Sequence, residues 1–129
     1  MISISTFILA VAMVESGNNP KLVGADGERS EYQITKDVWT QYTRKPFSKA
    51  NTQNRALSRM VATAHAEHLN KHGFGTSASM RVYWMAVAWN CGETKAKKGL
   101  RGLVKIEVKR RDYATRVSNT YFKLMQEGK

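Results

Sequence analysis

"AMVESGNNPKLVGADGERSEYQI", Ala12 to Ile34, begins as the end of an apolar run and passes through one glutamate into serine, glycine, two asparagines and proline. Upstream, Ile4, Phe7, Ile8, Val11 and Val14 recur at the spacing of one helix face, with Ser3 or Ser5 placed to cap its start. Gly17 and Pro20 are stop signals, so this helix is expected to end near Glu15 or Ser16. The Glu15 carboxyl then sits at a helix C-terminus, where the dipole disfavours negative charge. It also lies beside Val11 and Val14, whose apolar surface desolvates it. Both effects raise a carboxyl pKa, and a carboxyl that keeps its proton near neutral pH can act as a general acid. An exposed, helix-terminal glutamate is the competing reading.

Beyond Ser16 the chain loses periodicity as far as Tyr32 and carries Gly17, Gly24 and Gly27, the mark of a loop held by turns. A short helix capped at Thr35 and anchored by Val38 and Trp39 is expected next. A longer one, capped by Asn51 or Thr52, runs through Leu57, Met60, Val61, Ala64 and Leu69 to a stop at Gly73. A very apolar helix spans about Ser79 to Asn90, and a last one about Val108 to Glu127, with Tyr113, Val117, Tyr121 and Leu124 on one face. Between them "NCGETKAKKGLRG", Asn90 to Gly102, reads as a basic loop with at most one helical turn. No segment sustains strand alternation, and there are no internal repeats. The class is mainly α, one domain over residues 1–129 with about five to six helices.

With 129 residues and 42% hydrophobic content, the chain can bury one core and not two. Its 21 Lys and Arg against 10 Asp and Glu, a formal +11, suit a polyanionic surface: nucleic acid, membrane headgroups or an acidic cell wall. Cys91 is the only cysteine, which rules out an internal disulfide. "FILAVAMV", Phe7 to Val14, has no Lys or Arg before it, so it is read as part of the folded domain and no signal peptide is recognised. Its eight residues are too few to span a bilayer. His65, His68 and His72 share a helix face, but without an HExxH motif they are expected to be solvated, and no metal or other cofactor is expected.

Four stretches carry a resemblance. "ESGNNP", Glu15 to Pro20, with "GADGERSEYQI", Gly24 to Ile34, resembles the first two motifs of the lysozyme-like (SLT-type) lytic transglycosylases. "AVAWNCG", Ala86 to Gly92, resembles their third, and "RRDYATRVSNTY", Arg110 to Tyr121, their closing Tyr-x-x-Arg-Val helix. The motifs stand in the family's order over almost the whole chain. The nearest variants are the small peptidoglycan-cleaving enzymes of secretion systems and phages, with some similarity also to invertebrate-type lysozymes.

The resemblance implies a lysozyme-like α domain with a substrate cleft. Such a domain cuts the β-1,4 bond between N-acetylmuramic acid and N-acetylglucosamine at the cell wall, in the periplasm or outside the cell. Its partners would be glycan strands and the anionic wall surface, with no nucleic acid, no obligate protein partner and a monomeric state. Carried over by position, Glu15 is the general acid and then base. Gln33 and Asn90 hydrogen-bond the sugar, Tyr113 packs and hydrogen-bonds beside Glu15, and Tyr32 and Trp89 supply cleft walls. The chain departs from the pattern at Ser30, where the family has glycine, and at Trp89, Cys91 and Lys109. Ser30 is expected to be strained if its φ is positive.

Two bond-breaking chemistries remain open. In the transglycosylase route the muramic C6 hydroxyl attacks and leaves a 1,6-anhydro end. A hydrolytic muramidase would add a second carboxylate, for which the invertebrate-type similarity suggests Asp26. The competing reading of Asp26 is an Asp-Gly turn with Gly27, and Glu28 and Glu31 read as solvated. A non-catalytic glycan-binding domain is a further alternative. So is a basic nucleic-acid-binding domain, resting on "KAKKGLRG" and the "KRR" of Lys109 to Arg111.

Overall fold

The computed structural model describes residues 2–128, and among these the chain is mainly helical, with seven helices and no strand. They are α1 Ile4–Ser16, α2 Lys36–Tyr42, α3 Lys49–Thr52, α4 Arg55–Lys71, α5 Ala78–Cys91, α6 Glu93–Leu100 and α7 Val108–Gln126. None is long and apolar enough to cross a membrane. α1 follows its sequence signals: the Ser3 side chain accepts from the Thr6 N–H, and Gly17 ends the helix in the left-handed conformation, φ 63°. Thr35 caps α2 in the same way.

Seven helices stand where five to six were expected, and two of them, α3 and α6, were not placed from the sequence. The polar stretch Ser48 to Asn54 holds two caps instead of one: Ser48 caps α3, and Asn54 caps α4 by accepting from the Leu57 N–H at 3.1 Å. Asn51 and Thr52, expected to begin the long helix, therefore lie inside α3. The second correction is α6, which occupies most of the expected basic loop. Gly99 weakens a helix by about 1 kcal/mol, but here it serves close packing, since a Cβ would lie 2.7 Å from the Ile106 side chain. Ala96 is fully buried on the same element, so tertiary contact outweighs local propensity.

The core is one cluster in which Phe7, Ala10 and Val11 of α1 meet Val61, Ala66 and Leu69 of α4, Met85 and Val87 of α5, and Val117 of α7. α5 packs on α4, α6 and α7, and α7 packs also on α1. That arrangement explains why α5 is apolar nearly all round in its second half. The two ends of the chain are tied where the Ser3 N–H donates to the Tyr121 hydroxyl at 2.9 Å.

The loop from Gly17 to Ile34 is irregular but heavily bonded. Ser16 Oγ donates to the carbonyls of Ala12 and Glu31, and Gln33 Nε2 to those of Leu22 and Ser30. Gly24 sits so close under this net that a Cβ would fall 2.6 Å from Gln33 Oε1. Ser30 does adopt a positive φ, 75°, and is buried, its Oγ accepting from the Tyr32 N–H at 3.1 Å. Ser30→Gly should therefore exceed Ser30→Ala in stability by about 1 kcal/mol, because both lose the hydrogen bond but only alanine keeps the strain. Thermal melts of the pair check this, and an alanine variant as stable as the glycine one would contradict it.

Candidate active site

Glu15 stands in the last turn of α1, half-buried, where it meets α7. The Tyr113 hydroxyl donates to Glu15 Oε2 at 2.9 Å. Burial pushes the Glu15 pKa from the usual 4.5 to about 7. The Tyr113 bond opposes that rise, the charge of Glu28 adds to it, and Arg116 opposes it. Tyr113 is itself buried, and loss of solvent together with the neighbouring carboxylate raises its pKa well above the usual phenol value. It therefore stays a donor at any pH at which Glu15 changes state.

The pair opens on a cavity of about 740 Å³ between the loop, the end of α5 and the start of α7. Asp26 and Glu28 line the loop side, Asn90 the α5 end, and Glu107, Lys109, Arg110 and Arg116 the α7 side. Arg110 fixes that far wall, since its Nη1 donates to Asn90 Oδ1 at 2.8 Å and its Nε to Glu107 Oε2 at 2.7 Å. With Asn90 Oδ1 engaged, the part of that amide left for a ligand is Nδ2. A second hollow of about 550 Å³ shares Asn90 and Arg110 and continues past Trp89, Gln41 and Glu93. The two hollows meet at the bonded Asn90–Arg110 pair.

Of the residues singled out from the sequence, Glu15, Asp26, Asn90 and Tyr113 line the same cavity. Trp89 lines the continuation and is fixed there, its indole N–H donating to the Tyr32 carbonyl at 3.0 Å. Tyr32 does not line it, and Gln33 borders a small adjoining hollow with Thr35, Val38, His65 and Trp89. Tyr32 is 3% exposed and borders a separate cavity of about 250 Å³ with Leu9, Glu31 and Arg59. Gln33 is buried, and its amide fastens the loop. Asp26 is exposed, and its backbone N–H donates to Glu28 Oε1 at 2.8 Å.

Glu28 is the carboxylate that sequence reasoning passed over. The flanking Arg29 suggested a solvated stretch, but the loop curls so that Glu28 is half-buried and its charge acts on Glu15. Glu31, also expected to be solvated, is 7% exposed. Arg116 was also passed over, though its place three residues after Tyr113, on the same face of α7, was the signal that could have found it. The histidines differ from expectation too. His65 is buried, bonds Tyr42 at 3.0 Å through Nδ1, and has its pKa lowered to about 4 chiefly by burial. His68 pairs with Glu93 at 2.7 Å, and only His72 is fully exposed.

The basic segment is less free than its composition suggests: Lys95 is paired with Glu107 and Lys97 with Glu93. Among the cavity-lining residues, four acids, Glu15, Asp26, Glu28 and Glu107, face three bases, Lys109, Arg110 and Arg116. That balance does not make a phosphate-binding groove. No protein-family model matches the chain, and no curated protein gives a significant match.

Proposed function

We propose that the chain is a lysozyme-like enzyme that cleaves the β-1,4 bond between N-acetylmuramic acid and N-acetylglucosamine in peptidoglycan, with Glu15 as the acid. The observation that carries this reading is a carboxyl with a pKa of about 7, held by a tyrosine hydroxyl and opening on a cavity of about 740 Å³ that a second hollow adjoins. A protonated Glu15 gives its proton to the glycosidic oxygen as the C1–O bond breaks and positive charge builds on the ring. In the intramolecular route the resulting carboxylate then takes the proton of the muramic C6 hydroxyl as that oxygen closes on C1. No water enters, and the product is a 1,6-anhydro end. The anionic Glu28 nearby favours the cationic ring of the transition state.

The wall's negative charge suits a protein of formal charge +11 and raises its encounter rate. Asp26 and Glu28 in the same cavity also support the hydrolytic alternative, in which one of them would activate water or trap the sugar. Mass spectrometry of digested glycan strands separates the two. Fragments one water lighter than hydrolytic ones are the expected product, and they should persist in Asp26→Asn. Ordinary reducing ends that disappear in Asp26→Asn or Glu28→Gln would assign a two-carboxylate muramidase. A protein that leaves walls intact would sink both.

A further inference from the structure

On the side of α7 away from Glu15, another groove of about 450 Å³ runs between α7 and α5. At 3.6 residues per turn, Thr115, Ser118, Asn119 and Phe122 point roughly opposite to Arg110, Tyr113 and Arg116. Met80, Tyr83 and Trp84 of α5 form the facing wall. Its volume is within the range of small-molecule sites, about 300–1,000 Å³. None of the residues lining it is charged, in a chain of formal charge +11.

Apart from the Thr115 hydroxyl, which donates to the Arg111 carbonyl at 3.0 Å, the polar side chains lining the groove have no protein hydrogen-bond partner among the described residues. Ser118 Oγ is the buried side-chain oxygen without a hydrogen bond among the described residues. The indoles of Trp39 and Trp89 donate to backbone carbonyls. The hydroxyls of Tyr42, Tyr113 and Tyr121 are bonded, and that of Tyr32 is bonded to Arg59. The Trp84 N–H and the Tyr83 hydroxyl have no protein hydrogen-bond partner among the described residues.

The unpartnered groups of Tyr83, Trp84 and Asn119 beside aromatic rings, with no charge, select a neutral ligand that has apolar faces and hydroxyl or amide edges. A polyanion finds no cation in the groove, and an aliphatic partner would bury these polar groups unbonded. An N-acetylhexosamine ring has both features, a face of C–H bonds and a rim of hydroxyl and acetamido groups. We infer that the α5/α7 groove is a second glycan-binding site, which holds an N-acetylhexosamine strand outside the cleft; the choice of ligand rests on the cleavage reading. It would keep the enzyme on insoluble wall between cuts.

The test follows the indole N–H signals of the full-length protein by NMR while the tetramer of N-acetylglucosamine is added. The Trp84 signal should shift and saturate. In Ser118→Ala/Asn119→Ala the affinity reported by Trp84 should fall about tenfold, ~1.4 kcal/mol, with cleavage of a soluble wall fragment unchanged. Trp89 reports on the cleft separately. A Trp84 signal that stays fixed, whether or not Trp89 moves, overturns the second site. So does a Trp84 shift that depends on protein concentration without sugar, which would mark a contact between copies of the chain. A saturating Trp84 with intact cell walls upholds the groove and removes the cleavage reading instead.

Discussion

Glu15→Gln is expected to lower clearing of a cell-wall suspension by about 10³-fold or more, because the amide keeps the shape and can still accept from Tyr113 but carries no transferable proton. The same change should stabilise the fold above neutral pH. In the folded chain Glu15 titrates near 7 instead of 4.5, so the folded state holds its proton more tightly than the unfolded one. The stability that this confers is complete below pH 4.5, declines as pH rises, and is gone above about 7. Glutamine is neutral throughout, so the variant should overtake the parent by about 2 kcal/mol at alkaline pH and show a flatter pH dependence. Chemical denaturation at pH 4 and pH 8 measures the difference. Substantial residual clearing would remove Glu15 from its role.

Tyr113→Phe is expected to move the pH profile before it moves anything else. Activity of the parent should fall as pH rises through about 7, since the acid must begin protonated. The Tyr113 hydroxyl is the strongest influence holding that pKa down, and with it gone the burial of Glu15 acts less opposed. The alkaline limb should therefore shift upward by up to about one pH unit, while the maximal rate drops about tenfold as the carboxyl loses its orientation. Rates measured from pH 5 to 9 on the same wall preparation decide it. An alkaline limb that stays in place would mean that Tyr113 only packs.

What was legible in the sequence is what depends on local pattern. Ser3, Thr35 and Gly17 mark helix ends because capping is decided within four residues. The spacing of Phe7, Val11, Val117 and Leu124 marked the faces that meet in the core. The pairing of Glu15 with Tyr113 came from motif order, and the geometry brings the two residues to 2.9 Å. Less legible was anything set by how the loop curls. Gln33 and Tyr32 look like ligand-facing groups in a polar run, yet the positive φ values at Ser30 and Gln33 turn both inward. Conversely, Glu28 looks solvated and instead is half-buried at the wall of the Glu15 cavity. α6 was hidden because its three lysines and Gly99 suggest a loop, and only Ile106, arriving from beyond the segment, explains the glycine.

Glu15 and Tyr113 are 98 positions apart, and Ser3 and Tyr121 are 118 apart. The end of α1 that carries Glu15 thus receives its shelter from α7, far along the chain. With α7 undocked, Glu15 would lose much of the burial that raises its pKa and move back toward an ordinary carboxylate. On the proposed reading, a chain lacking the residues beyond Gly102 should not cleave cell wall, although it keeps Glu15 and the whole loop. The raised pKa is a property of the packed α1–α7 pair and not of the local sequence around Glu15.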